Sequence, residues 1–469
     1  MRILFALALL AVFAAFLWNT PANLLGRESP EQTAAIYDQD PNHIWNRLRA
    51  AFYIRDDLRG SERVPDALDP PLWYHTKYLL TRPSHRRVLR ILDQFLETHA
   101  ENLIRDPVKR ALLQRDLWAV FDWAVERRPE GSGAPAYETE KRELQIRLAE
   151  ALRRLALTQE QIASLPDNYA QAVASGEFVR EYDPAHRERA FLPPDLFDPR
   201  GPWVELEGPG DPEPIAFQHF SDFSGRSSFL VFIRLPEGRK ATFNYLQALW
   251  DFPERWVWSP SGMGPNFPQA KKRDLPQFSA GTEVALVRQL TLFDNQGRLI
   301  NSPITESVQI RVYREVRQSD RPAAGFDEFI ARSGQDFYDI ELSRPQLFAG
   351  KAGGLRAVRP DEKDFTKFGA FGPDEGKPRQ YATLDNYQPL LKECVMCHQS
   401  AGIYSLSSRD KLLKPHALQK DRPSASYGPH WWQDERTLSW KQGRDDWAAL
   451  TGYWKTSAAR HERARSGTP

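Results

Sequence analysis

The chain contains only two cysteines, Cys394 and Cys397, and just two residues separate them. An exported domain that relies on disulfides carries more cysteines, at wider spacings. The fold must therefore be stabilised by packing of apolar side chains, which make up 41% of the composition. At 469 residues the chain is long enough for two or three domains with cores of their own. The cysteines are predicted to serve local chemistry.

Charge and the absence of common enzyme motifs narrow the functional classes. With 63 Lys and Arg against 62 Asp and Glu, the formal net charge is +1, so no overall field attracts nucleic acid. The sequence contains no HExxH zinc helix, GxSxG elbow, phosphate loop or GxGxxG turn. We therefore predict no nucleic-acid partner and nominate no catalytic residue. Whether the chain is an enzyme stays open.

The first residues have the pattern of an export signal. Arg2 precedes an uninterrupted apolar run at residues 3–18, and small or turn-forming residues follow it. This order is typical of a signal peptide or of an uncleaved anchor. We predict that residues 1–25 direct the chain to the periplasm or another extracytoplasmic compartment. If they are retained, residues 3–18 would anchor it to the inner membrane; no cysteine lies nearby to accept a lipid.

Residues 40–190 are predicted to form a helical domain, because their apolar residues recur at three- and four-residue steps. Three capping signals mark predicted helix starts: Ser84, Asp106 followed by Pro107, and Thr158 with Gln161. The apolar positions of the first helix are Val88, Leu92, Phe95 and Leu103, and those of a later helix are Leu144, Leu148, Leu152 and Leu155. The pattern shows no fixed repeat, so it does not support a solenoid of helical pairs.

Residues 200–345 are predicted to form a mainly antiparallel β domain. A stretch rich in proline and glycine, residues 192–212, precedes it and is the best candidate for a domain boundary. Apolar or alternating runs predict strands at residues 229–233, 283–293 and 307–316, and residues 294–297 predict a hairpin turn.

Residues 346–469 are rich in glycine, proline and charge and have few periodic segments. Such a segment would fold poorly unless a large bound group filled its interior. We therefore predict an α+β multidomain chain with an N-terminal α-helical domain, a central antiparallel β domain and an irregular C-terminal segment.

The C-terminal segment contains the pentapeptide Cys394-Val-Met-Cys397-His398. It resembles the haem-attachment site of c-type cytochromes, in which two thiols add to the haem vinyl groups and the adjacent histidine ligates the iron. The resemblance covers only this motif and its surroundings. It implies one covalent haem c, with thioether bonds from Cys394 and Cys397 and with His398 as the proximal iron ligand.

Two other interpretations of the cysteine pair stay open. A redox-active CxxC normally lies at a helix start in a βαβ setting, and no such pattern surrounds Cys394. A structural zinc site needs four ligands, and the chain has no second pair of cysteines.

The sixth iron ligand is not fixed by the motif. Small c-type cytochromes usually supply a methionine after it, but the methionines here are Met1, Met263 and Met396, none of them downstream. The candidates are His430, His416 and Met263. The alternative is an iron with an open sixth position.

The resemblance implies haem binding and single-electron transfer with a redox partner protein of unknown identity. The long region before the motif indicates docking to a partner or membership of a larger redox system. The alternatives are a peroxidase-like haem enzyme and a haem-based ligand sensor, both with an open distal site.

Overall fold

A computed structural model describes residues 35–52, 67–69, 78–81, 83–126, 137–207, 215–252, 256–257, 270–271, 275–316, 334–360, 362, 398, 402–406, 414–415 and 431–466. The predicted export signal, residues 1–25, lies outside these ranges. Within them, no helix is both long and apolar enough to cross a membrane.

Helices dominate the N-terminal region, and two more end the chain. The α-helices of the described residues are α1 (Ile44–Phe52), α2 (Ser84–Glu97), α3 (Pro107–Val125), α4 (Glu138–Leu155), α5 (Gln159–Ala163), α6 (Asn168–Ser175), α7 (Phe217–Asp222), α8 (Arg239–Asp251), α9 (Arg344–Phe348), α10 (Ile403–Leu406), α11 (Trp431–Gln442) and α12 (Asp445–Ser466). Short 3-10 turns occur at Tyr78–Leu80, Ala100–Asn102 and Ala352–Gly354.

Two of the three predicted capping signals are confirmed. The Asp106 carboxylate accepts hydrogen bonds from the amides of Val108 and Lys109, at 2.8 and 3.1 Å, so it caps α3. Thr158 and Gln161 form a reciprocal capping box at the start of α5.

The third capping prediction is wrong. Ser84 is the first residue of α2, and the N-cap is Pro83, which has no side chain able to accept the bond. The predicted extension of this helix to Leu103 is also wrong, because the chain leaves α2 after Glu97 and turns through His99 with a φ of 50°. Leu103 consequently lies on the surface, 60% exposed.

The strands form one antiparallel sheet and one small ribbon. They are β1 (Val204–Glu207), β2 (Ser227–Arg234), β3 (Trp256–Val257), β4 (Ala270–Lys271), β5 (Thr282–Phe293), β6 (Leu299–Tyr313), β7 (Gln335–Leu342), β8 (Leu355–Ala357) and β9 (Lys414–Pro415). In the described residues the large sheet has the order β8-β7-β6-β5-β2-β1-β9, with every neighbouring pair antiparallel, and β3 pairs with β4.

The predicted strands at residues 229–233 and 283–293 are confirmed as parts of β2 and β5. The predicted turn joins β5 to β6: the Asp294 carboxylate accepts from two turn amides, and Gly297 supplies the required positive φ of 78°. Strand β6 begins eight residues before the predicted start at Ser307. Its first half packs apolar residues such as Ile304 against α3, which the local alternation does not reveal.

The sheet buries both faces. Leu230 and Phe232 of β2 point to one side, where Tyr169 of α6 and Phe191 pack over them. The opposite side, which we call the site face, consists of Phe229, Val231, Ile233, Val284 and Tyr313. Residues of α7, α8 and α10 cover it.

The prediction of an irregular C-terminal segment is wrong for residues 431–466, which form α11 and α12. Helix α12 packs Trp447, Leu450 and Trp454 onto the helical core. These positions are spaced by three and four residues, but Thr451 and Gly452 interrupt the run and weaken the pattern in the sequence. Helices in the N-terminal region and an antiparallel sheet in the middle agree with the predicted fold class, and the domain boundaries stay predictions.

Candidate functional site

Of the haem-attachment motif, the structure describes His398. Cys394 and Cys397 lie outside the described residues, as do the candidate sixth ligands Met263, His416 and His430. The geometry of the candidate site is therefore built from His398 and from the described residues around it.

The orientation of His398 is set by a hydrogen bond to the backbone. Its Nδ1 lies 2.7 Å from the carbonyl oxygen of Ser405 in α10. Because a carbonyl oxygen only accepts, Nδ1 carries the hydrogen and donates it. In the neutral ring the lone pair is then on Nε2, which is the tautomer that a metal-ligating histidine presents.

Ser405 is itself fixed to the end of strand β6. Its hydroxyl donates to the Gly402 carbonyl at 2.8 Å and accepts from the Tyr313 hydroxyl at 2.6 Å. Burial raises the pKa of Tyr313, so this phenol remains a donor at neutral pH. Arg311 adds a longer contact of 3.3 Å to the Ser405 carbonyl. The acceptor for His398 is thus held by a network of buried hydrogen bonds.

Gly402 allows α10 to sit this close to the sheet. Its φ is 56°, and a Cβ at this position would lie 2.2 Å from the Gln277 side-chain oxygen and 2.7 Å from Val316. The same Gln277 oxygen accepts from the Ile403 amide at 3.0 Å. A larger residue at 402 would therefore push α10, and with it the Ser405 carbonyl, away from His398.

A second histidine, His219 of α7, faces the same place. The ring centroids of His219 and His398 are 6.0 Å apart, and the ring planes differ by 7°. His219 also lies 6.2 Å from the ring of Phe229 on the site face. The fold thus brings together two imidazoles from distant parts of the chain.

Helix α7 is short, and its neighbours fix it. Phe220 is fully buried and meets Trp440 of α11 edge to face at a centroid distance of 4.7 Å. The residues that flank the helix, Ala216 and Ser224, have φ values of 53° and 49°. Left-handed conformations cost about 1–3 kcal/mol at non-glycine residues and persist where packing enforces them. His219 is therefore held in place at an energetic cost.

Sequence reasoning missed His219. It lies among Phe217, Phe220 and Phe223, which looks like ordinary packing, and no spacing rule connects it to His398. The two rings come together only in three dimensions: His219 lies on α7, and His398 is hydrogen-bonded to Ser405 of α10.

No family model, no curated protein and no solved structure matches this chain.

Two described residues at this site, His219 and His398, are of a type that can ligate a haem iron. Among the described residues, no group of three or more His, Cys, Asp or Glu side chains could hold a metal ion. A porphyrin supplies four nitrogens of its own, so its iron needs only one or two protein ligands. His398 and His219 are of the right type, and the site face beside them is apolar, as the surroundings of a porphyrin usually are.

Proposed function

We propose that this chain is an exported mono-haem c-type cytochrome-like protein that transfers single electrons. In this proposal Cys394 and Cys397 form the thioether bonds and His398 is the proximal ligand. The observation that carries it is the CxxCH motif together with the Nδ1 hydrogen bond from His398 to the Ser405 carbonyl. That bond is the outer interaction expected of a histidine ligand.

The bound haem would supply an iron that cycles between the ferrous and ferric states. The protein residues would set its position and its environment. The Ser405 carbonyl accepts the Nδ1 hydrogen of His398 and so orients the ring. The same bond would make Nε2 a stronger electron-pair donor to the iron. Phe229 and the rest of the site face would provide an apolar wall.

The proposal also assigns a place and an architecture. We infer that residues 1–25 export the chain, that residues 3–18 associate with the membrane if they are retained, and that a redox partner protein docks outside the cytoplasm. In a multidomain α+β chain, residues 346–469 would be the haem-binding segment. The other two functions, a peroxidase-like enzyme and a ligand sensor, both require an open sixth position.

Covalent haem is the test. The wild-type protein and a Cys394→Ala, Cys397→Ala variant are produced in a host with c-type maturation machinery, and each is precipitated in acidic acetone. An alkaline pyridine haemochrome spectrum is then recorded. We expect the wild-type pellet to keep thioether-linked haem and the variant to lose it. Haem that is absent or fully extractable from the wild type would contradict the proposal and leave a CxxC thiol or metal site.

The ligand role of His398 has a separate test. In His398→Ala we expect covalent haem to remain while the low-spin absorption spectrum is lost. An unchanged spectrum in this variant would contradict the assignment of His398.

A further inference from the structure

We infer that His219 is the sixth iron ligand, so that His219 and His398 bind the haem from opposite sides. This assignment rests on the proposed function and deepens it. It differs from the three candidates taken from the sequence, Met263, His416 and His430, which lie outside the described residues.

The spacing of the two rings is the first argument. Metal–imidazole bonds are about 2 Å long and a ring nitrogen lies about 1 Å from the ring centre, so two imidazoles on opposite sides of one iron have centres about 6 Å apart. The observed separation is 6.0 Å. His219 and His398 thus stand at the distance that one intervening iron requires.

Direct stacking explains the pair less well. Rings in face-to-face contact have planes about 3.5 Å apart, so a centre separation of 6.0 Å would displace them sideways by about 5 Å. That displacement exceeds the width of an imidazole, and the rings would hardly overlap. Parallel rings at this distance gain little from one another, yet α7 is held in place against the strain at Ala216 and Ser224.

The independent fixation of the two histidines is the second argument. His398 is bonded to Ser405, which belongs to a network at the end of β6. His219 is positioned by Phe220, which packs on Trp440, and by Phe229 of the site face. Two separately fixed ligands are preorganised for one metal, which lowers the ordering cost of ligation.

A filled sixth position changes what the site can do. Two tightly held imidazoles exclude exogenous ligands, which favours electron transfer over peroxidase or sensor chemistry. Paired histidines also give a lower potential than a histidine with a methionine. Because His219 and His398 come from different parts of the chain, the haem would link α7 to the C-terminal segment.

Spectroscopy of single variants tests the assignment. The variant is His219→Ala, and the matched control is His186→Ala, which removes a histidine with 57% side-chain exposure. Parallel variants replace Met263, His416 and His430 with alanine. For each protein the haemochrome assay gives covalent haem, and absorption and electron paramagnetic resonance spectra give the spin state.

We expect the wild type and the control to be low-spin and to resist carbon monoxide. His219→Ala should keep its covalent haem, become high-spin, bind carbon monoxide and return to low-spin when imidazole is added. The near-parallel ring planes add a finer expectation. Parallel imidazole planes interact with the same iron d orbital. The electron paramagnetic resonance spectrum of the ferric wild type should therefore be an ordinary rhombic low-spin spectrum.

A high-spin wild type, or a native low-spin spectrum in His219→Ala, would overturn the assignment. Loss of the low-spin state in the variant at Met263, His416 or His430 alone would also transfer the role to that residue. If His219→Ala does not fold, His219→Met is the test. This variant should stay six-coordinate and should have a higher haem reduction potential than the wild type. An unchanged reduction potential would overturn the assignment. A wild type without covalent haem instead refutes the proposed function, and the ligand assignment falls with it.

Discussion

Two regions of this molecule bury polar groups in opposite ways. Around α3, buried charges are neutralised by other charges of the same chain: Asp122 contacts Arg226 and Lys441, each at 2.6 Å, and Arg115 contacts Asp69 and Glu306. At the site face, the rings of two histidines lie 6.0 Å apart, and packing holds one of them on a helix whose flanking residues have left-handed backbone conformations.

The two regions differ in whether their buried polar groups are paired by charges of the chain itself. The charged region around α3 carries both signs at nearly full burial, and it joins α3 to the sheet and to α11. Its carboxylates and cations pair with one another. The separation of the His219 and His398 rings and their near-parallel planes fit the proposed haem between them.

The largest effect is expected from breaking the charged region. Asp122→Ala would remove a carboxylate partner of Arg226 and would leave Lys441 with Asp446 as its carboxylate partner among the described residues, so we expect a loss of about 3–5 kcal/mol in the free energy of unfolding. Urea denaturation followed by circular dichroism measures it. The control is Asp93→Ala, whose partly exposed pair with Arg147 should contribute at most about 1 kcal/mol. Equal effects in the two variants would contradict the comparison.

A smaller effect is expected at the site. Gly402→Ala introduces a Cβ that collides with Gln277 and Val316, and we expect a cost of about 1–3 kcal/mol with a displaced His398. The absorption spectrum should therefore change along with the stability. Gly176→Ala is the control, because its φ of 74° brings similar strain without any neighbour within 4 Å. A spectral change in the control, or none in Gly402→Ala, would refute the role of α10.

Loss of the proposed haem should affect the site face and leave the charged region around α3 unchanged. In the Cys394→Ala, Cys397→Ala variant we expect amide hydrogen exchange in α7 and α10 to rise about tenfold or more, equivalent to about 1.4 kcal/mol of lost local stability. Exchange in α3 should stay as in the wild type. Hydrogen exchange read by mass spectrometry reports each helix separately. Uniform changes in all three helices would mean that the regions are not independent.

The pH dependence of stability should trace to the charged region. Burial alone would raise the pKa of Glu306, but Arg115 and Arg288 outweigh it and hold the pKa below its usual range. The stabilisation by Glu306 is therefore present above the unfolded pKa of about 4.3 and is lost as the pH falls through the lower folded value.

This titration contributes at most about 1.4 kcal/mol per pH unit, the limit for one proton. We expect Glu306→Gln to flatten the acid side of a stability curve measured by urea denaturation at several pH values. The exposed Glu97→Gln should leave the curve unchanged. A Glu306→Gln curve parallel to the wild type would contradict the assignment.

The sequence predicted best what depends on neighbours along the chain. The cap at Asp106, the capping box at Thr158 and the turn at Asp294 are local, because each side chain bonds to amides within four residues of its own position. The same holds for the alternating strands β2 and β5. These elements were predictable because the interactions that stabilise them, or the patterns that mark them, lie within a few consecutive residues.

What the sequence did not predict depends on distant partners. His219 became a candidate ligand only when the structure placed its ring near that of His398. Helix α12 is held by Trp447 and Trp454 against a core built from residues before 160 and around 293. The ion partners of α3 are equally remote, as Arg344 and Lys441 are. Within the motif, His398 was predicted as a ligand from the resemblance, and that role stays a prediction.

Helix α11 contacts both regions, although it lies late in the chain. Neighbouring residues on it serve both regions: Lys441 bonds to Asp122 of α3, and Trp440 packs on Phe220 of α7. During synthesis, the helices and most of the sheet emerge long before α11 does. Helix α7 therefore cannot make its contact with Trp440 until α11 has been synthesised. Under the proposed function, the wall that α7 forms beside the haem would be completed only by this late helix.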